Sequence, residues 1–282
     1  MKSSIFFLYR KGISLLYRTG IFYFRTPRRI HKKIMKSFAD QYMSVDGFKI
    51  YTGENDDDNF TFYGFKQHAD LIMLIKKHVK KGDTVIDIGA NVGKVTLILA
   101  RHVGETGKVY SFEPEINNFN LLRKNIEINN LKNVIPLRYA VTDKSGKTLL
   151  KVSGACTTHQ VCTDTSEITQ EIETVSLDEY FKDQRIDFMK IDAEGSEPKI
   201  INGMKNIVRN NPNMTFITEY ETRVMKALGV DRLKYTDEIE SMGFMMYETR
   251  DGTKDFVRTD SMKLLGDYNP NFPYRTNLFC TR

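Results

Sequence analysis

One stretch limits the architecture of this chain more than any other. The β-branched run Thr84-Val85-Ile86-Asp87-Ile88 breaks into Gly89-Ala90-Asn91-Val92-Gly93 and passes at once into text with helical spacing. A short run of branched residues suits a strand buried on both faces. Glycine at 89 allows a tight turn, and glycine at 93 allows helix, strand and any ligand to approach closely. Val92, Val95, Leu99 and Val103 then fall on one side of a helix expected over 92–103. A strand that turns straight into a helix belongs to an α/β architecture.

The same alternation continues downstream. Residues 66–80 read as a helix, Lys108–Phe112 as a second strand, 115–130 as a helix and 134–141 as a third strand. Asp187–Ile191 resumes the sheet, followed by a helix over about 197–210, a strand at Met214–Thr218 and a helix near 232–242. Phe244–Tyr247 and Thr276–Cys280 read as a closing antiparallel pair. Residues 147–175 break the rhythm with Thr-rich, β-favouring text and read as an inserted hairpin. Residues 41–65 read as short strands or a loop. The expected fold is therefore α/β: a mostly parallel sheet with helices on both faces and a C-terminal antiparallel pair. Any ligand is expected beyond the carboxyl ends of the strands.

Charge separates the first 39 residues from the rest. They hold ten Lys or Arg and no Asp or Glu, whereas the whole chain of 282 residues carries a net +6. The remainder is thus net acidic, and no nucleic-acid-binding body is implied. Lys11, Arg18, Arg25 and Lys32 recur every seven residues, with Ile5, Leu8, Leu15, Leu16, Phe22 and Tyr23 between them. Residues 1–40 are read as a basic amphipathic helical arm, and 41–282 as the main domain. Two readings of the arm stay open: peripheral contact of residues 1–36 with an anionic membrane surface, or packing on protein. Arg10, Lys11 and Arg18 interrupt the most apolar stretch, so no membrane span is expected. Three cysteines form no disulfide framework, which places the chain in a reducing, cytoplasmic compartment, with the inner membrane surface as the alternative address.

The chemistry gathers at the expected strand ends. A dinucleotide loop would carry a second glycine where Asn91 stands, so the loop fits a nucleoside lacking a pyrophosphate better. Asp87 is placed to accept from a cationic amine, directly or through water. Glu113, held by Pro114 at the end of the second strand, suits bidentate acceptance from two ribose hydroxyls; the alternative is an acid favoured by a helix dipole. Asp143 has two equal readings, an acceptor for an adenine amino group or part of the turn Asp143-Lys144-Ser145-Gly146. At the end of the Asp187–Ile191 strand, Asp192 and Glu194 flank the expected reaction position, and Gly195 lets the backbone turn away. A carboxylate there is suited to general-base work on a hydroxyl, or to orienting it. Glu197 reads as a first-turn helix acid.

These motifs, in this order, resemble the FkbM-type methyltransferases: Val85 to Gly93, Phe112-Glu113-Pro114 with Asn118, Asn125 and Asn129, Ala140-Val141-x-Asp143, and Ile191-Asp192-x-Glu194-Gly195-x-Glu197. The resemblance covers about residues 60–220. It implies a class I methyltransferase (Rossmann-like) fold, S-adenosyl-L-methionine as cofactor, and O-methylation of a hydroxyl on a sugar, glycan or other small or lipid-linked acceptor. It further implies that Asp87, Gly89, Asn91, Gly93, Glu113 and Asp143 hold the cofactor, with Asp192 and Glu194 near the acceptor. Lys94, and the segment Phe65-Lys66-Gln67-His68, depart from the family pattern.

Two rivals accompany that reading. One is a divalent-metal-dependent O-methyltransferase using Asp192, Glu194 and Glu219. The other is a non-catalytic membrane-associated protein with a vestigial nucleoside pocket. Cys156, His159 and Cys162 lack an obvious fourth ligand for zinc, so no metal site is assigned.

Overall fold

The computed structural model describes residues 41–51, 69–151, 160–162, 169–249, 256–266 and 274–282, with isolated positions in the first forty. In chain order the elements are β1 (Met43–Val45), β2 (Phe48–Ile50), α1 (Ala69–His78), β3 (Thr84–Ile88), α2 (Lys94–Val103), β4 (Lys108–Phe112), α3 (Ile116–Ile128) and β5 (Val134–Leu137). There follow β6 (Ala140–Thr142), β7 (Gly146–Lys151), β8 (Gln160–Cys162), β9 (Thr169–Ser176), α4 (Leu177–Phe181), β10 (Phe188–Ile191), α5 (Glu197–Asn202) and α6 (Lys205–Asn210). The chain closes with β11 (Thr215–Glu221), α7 (Thr222–Ala227), α8 (Arg232–Ser241), β12 (Met245–Thr249), β13 (Phe256–Thr259), α9 (Ser261–Gly266) and β14 (Arg275–Thr281).

The central sheet runs β13-β12-β14-β11-β10-β3-β4-β5. β3, β4, β5, β10 and β11 are parallel, and β14, β12 and β13 add antiparallel pairings. The chain leaves β3 towards β4 and returns to its other side as β10, so the strand order reverses between β3 and β10. In such sheets a crevice opens there, beyond the carboxyl ends. This is the class I methyltransferase arrangement that the family resemblance implies. Pro136, which cannot donate to a ladder, lies in the edge strand β5.

Strand alternation divides the core into two layers. Val85, Val109, Phe188, Ile217 and Phe279 pack with α1, α2 and α3. Ile86, Ile88, Phe112, Met189, Ile191 and Phe216 pack with α4, α5, α6, α8 and α9. On the first face, two residues nearer the carboxyl ends, the apolar rung gives way to Ser111, Asp87, Lys190 and Glu219, all buried. Ser111 and Lys190 are the register neighbours of Asp87 on either side. The layer that fills the core thus ends in a row of charge.

Two readings of the sequence require correction, the strand over 134–141 and the helix over 197–210. The stretch 134–141 is not one strand: β5 ends at Leu137, and Ala140–Thr142 pairs with β9 in a second sheet ordered β6-β9-β7-β8. The inserted hairpin exists as β7 against β9, with β8 added on the outer edge of β7. The helix over 197–210 is two helices. Gly203 O accepts from Asp178 N and Ser176 Oγ, and the Asp178 carboxylate accepts from Asn206 N and Ile207 N, so the helical ladder ends and restarts there.

The 41–51 segment forms a hairpin through Asp46-Gly47, both at positive φ. Arg101 of α2 donates to Asp46 O and Gly47 O and stacks on Phe48. Asn125 and Asn129 of α3 pair with the backbone of Tyr51 and Lys49, and Asn125 also donates to Val92 O. Within the arm, Tyr9 and Phe38 stack on each other and pack against Met43, Phe48, Ile50 and Leu97. Ile5, Leu8 and Ile30 are exposed.

Candidate active site

The turn after β3 is held from beneath. Gly89 N and Ala90 N donate to Phe112 O, and Gly93 N to Ala90 O. Gly89 has φ 72°, Asn91 φ 53° and Gly93 φ 94°, so the loop passes three times through the left-handed region. Only glycine fits at 89, because a β-carbon there would lie 1.8 Å from Asp192 O. A β-carbon at Gly93 would lie 2.7 Å from Leu122 Cδ1 of α3.

Glu113 closes β4 against this loop. Asn91 N donates to its Oε2 at 2.8 Å and Glu115 N to its Oε1 at 3.0 Å. Burial pushes its carboxyl up to about 7, against the pull of those two N–H groups. Each oxygen keeps an unused lone pair, so two ribose hydroxyls can still be accepted. Asp87 is fully buried; Thr96 Oγ1 donates to its Oδ2 at 2.6 Å. Its Oδ1 has no hydrogen-bond partner, with only the Lys190 ammonium 3.6 Å away. A ligand bearing vicinal hydroxyls, as S-adenosylmethionine does, fits the accepting Glu113 carboxylate, whereas Asp87 is enclosed by Thr96 and Lys190 behind the loop.

Across the crevice, the tip of β10 carries the acids expected near the acceptor. Lys190 Nζ lies 3.2 Å from Asp192 Oδ2 and donates to Gly89 O at 3.1 Å. Burial alone would lower the Lys190 pKa, but Asp192 and Asp87 together raise it above the usual range. Glu194 has φ 50°, an uncommon conformation for a glutamate. Its carboxyl is pushed up to about 8 by burial, then by the charges of Asp192 and Glu219. Glu197 does start α5, and it also reaches back to accept from Ala193 N at 2.7 Å, which holds the turn 192–196. Burial raises its carboxyl to about 7. Glu219 of β11 accepts from Arg275 Nε of β14 at 2.6 Å and is raised to about 7, by burial and then by Asp192.

The structure thus brings Asp87, Gly89, Asn91, Gly93, Glu113, Asp192 and Glu194 to one end of the sheet. Asp143 is exposed on the turn after β6, with its Cα beside Gly203 at the C-terminal end of α5. Lys190 and Arg275 were missed by sequence reasoning. A lysine inside the apolar strand Phe188-Met189-Lys190-Ile191 was the available signal for the first. Nothing local marks Arg275, which reaches the site only through β11–β14 pairing. Among the described residues, no group of three or more His, Cys, Asp or Glu is arranged to hold a metal. Cys156, His159 and the Phe65–His68 segment lie outside the described residues, as does the side chain of Cys162.

Comparison with known proteins places this geometry. Residues 87–246, more than half of the chain, match the Methyltransferase FkbM domain. A hexuronic acid methyltransferase, AglP of Haloferax volcanii, is 27% identical over 172 residues, covering 59% of this chain and 69% of that relative. A probable cobalt-precorrin-6B C(15)-methyltransferase of Saccharolobus solfataricus is 39% identical over 62 residues, 22% of this chain and 31% of that one. A putative rRNA methylase structure from Clostridium thermocellum overlays with a TM-score of 0.46 at 13% identity, covering 76% of this chain and 96% of that one. The fold assignment rests on the strand order and not on that overlay. The chain belongs to the FkbM methyltransferase domain family and is an S-adenosylmethionine-dependent methyltransferase.

Proposed function

We propose that this methyltransferase O-methylates a hydroxyl of a sugar, free or within a glycan. The observation that carries the reading is the pair Asp192 and Glu194 at the tip of β10, packed against the loop Gly89–Gly93. Residues 41–282 act as the catalytic unit, with β7–β9 as an insertion and residues 1–40 as an appended arm.

Glu113 and the backbone of Gly89, Asn91 and Gly93 hold the nucleoside, and Asp87 braces the loop from behind. Asp143 keeps its adenine reading only as a proposal. When bound, S-adenosylmethionine supplies an electrophilic methyl group on a sulfonium. Glu194, with its carboxyl at about 8, is matched to take the acceptor hydroxyl's proton near neutral pH. Asp192, paired with Lys190, orients that hydroxyl. The AglP relative is a hexuronic acid methyltransferase by name, which supports a sugar acceptor. A lipid-linked sugar at the inner membrane surface is favoured by the arm, whose residues 1–39 carry ten cations and no acids beside the exposed Ile5, Leu8 and Ile30.

The test incubates the protein with S-adenosylmethionine and a panel of neutral hexosides, hexuronic acids and amino sugars, reading S-adenosylhomocysteine release and the methylated product. Methyl ether formation on a sugar hydroxyl is expected. Methylation confined to a nitrogen or carboxylate would overturn the reading.

A further inference from the structure

We propose that Lys190 is a positioning residue that locks the cofactor loop to the acceptor tip, so that the two halves of the site order together. The inference rests on the proposed role of the Asp192 tip. Lys190 sits on β10 directly beside Asp87 of β3, on the sheet face that α2 covers. Its ammonium is buried and touches both halves. On the cofactor side it donates to Gly89 O at 3.1 Å and Ile88 O at 3.4 Å, and faces Asp87 Oδ1 at 3.6 Å. On the acceptor side it meets Asp192 Oδ2 at 3.2 Å.

An ammonium has three protons and no accepting capacity, so these oxygens share one cation. Moving Asp192 withdraws a charge from the group that holds the Gly89 carbonyl, and moving the loop does the reverse. The ammonium is buried, which strengthens its charged contacts, although the Asp192 carboxylate is partly exposed. Lysine is a compact point charge able to meet oxygens in several directions, where a planar guanidinium prefers a flat, bidentate partner. The backbone adds a second tether, since Asp192 N donates to Ile88 O at 3.2 Å.

The experiment is amide hydrogen exchange on the full chain, with and without S-adenosylhomocysteine, in wild type, Lys190→Met, Asp192→Asn and the double variant. Gly89, Ala90, Asn91 and Ala193 all have bonded N–H groups whose opening can be timed. Asp192→Asn is expected to speed exchange at 89–91, and Lys190→Met at 192–193, each by about tenfold. The double variant should be no faster than Lys190→Met, because both changes break one link. Lys190→Met should also weaken S-adenosylhomocysteine by about tenfold.

Additive effects, or an Asp192→Asn protein with wild-type exchange at 89–91, overturn the proposal. Should Lys190→Met not fold, Asp192→Asn and Lys190→Arg carry the test. Lys190→Arg is then expected to loosen both segments together, and loosening of only one overturns the coupling. Methyl transfer is a separate readout: if Asp192→Asn loosens 89–91 yet turns over normally, the orienting role of Asp192 fails and the coupling stands.

Discussion

The carbonyl oxygen of Asp192 occupies the space beside Gly89 in which a β-carbon would stand, 1.8 Å away. The tip of the strand that carries the acceptor acids therefore rests on the backbone of the cofactor loop. A side chain at 89 would have to push that tip away.

Gly89→Ala is the direct probe of that contact. The substitution meets a backbone carbonyl at a positive φ, so nothing flexible can yield. A loss of about 2–4 kcal/mol of stability is expected, together with cofactor binding too weak to measure by calorimetry. A variant with wild-type melting and affinity would show that the contact relaxes freely.

Glu113→Ala removes the carboxylate that the loop is built around. S-adenosylhomocysteine binding should weaken by about ten- to a hundredfold, the worth of two hydrogen bonds to a charged acceptor. The acceptor KM should change much less. Because burial lifts the Glu113 carboxyl to about 7, wild-type affinity should rise between pH 6 and 8, and the variant should lack this rise. Unchanged affinity in the variant argues against the ribose role.

The buried acids make stability depend on pH with a defined sign. Glu113 and Glu197 are raised to about 7 in the folded chain, against about 4.3 unfolded. Between those values the folded state binds more protons. Their contribution is fully present below about pH 4.3 and is lost as pH rises through 7, by an amount of the order of a few kcal/mol. Denaturant unfolding of the cofactor-free protein at pH 5, 6, 7 and 8 should show falling stability. A steady rise across that window would contradict the burial of these groups.

Glu194→Gln separates the two acids of the β10 tip. A base at about 8 gives a rate that climbs with pH and levels above that value. The variant should bind cofactor as wild type does and lose turnover by about 10²- to 10⁴-fold. Asp192→Asn should lose turnover as well, with S-adenosylhomocysteine binding weakened by no more than the roughly tenfold expected of Lys190→Met. A Glu194→Gln protein with an unchanged pH profile would move the base elsewhere.

The arm is tested with vesicles. Deleting residues 1–36 should abolish association with liposomes containing anionic lipid, and salt near 0.5 M should weaken wild-type association, since the Debye length then shrinks to about 4 Å. Binding that survives both treatments would assign the contact to another surface.

Much of this protein is written locally. The β-branched run Thr84–Ile88 and the run Lys108–Phe112 mark strands whose ends the structure places at the same residues. Glycines at 89 and 93 follow the first end, Glu113 the second, and Asp192 and Glu194 the end of β10. Such signals depend on neighbours along the chain, which is why they can be read without a fold.

What distance in sequence separates, only the tertiary structure joined. Lys190 reads as an anomaly in an apolar strand until β10 pairs with β3 and sets it beside Asp87. Arg275 meets Glu219, 56 residues earlier, because β14 inserts between β11 and β12. Asp143 follows a strand of the second sheet because β6 pairs with β9 and not with β5. In each case the deciding energy is a pairing across the sheet, made between segments whose own residues are compatible with several partners. The sequence by itself determined the strand-turn-helix loop and its acids; the closing of the sheet decided which charges face them.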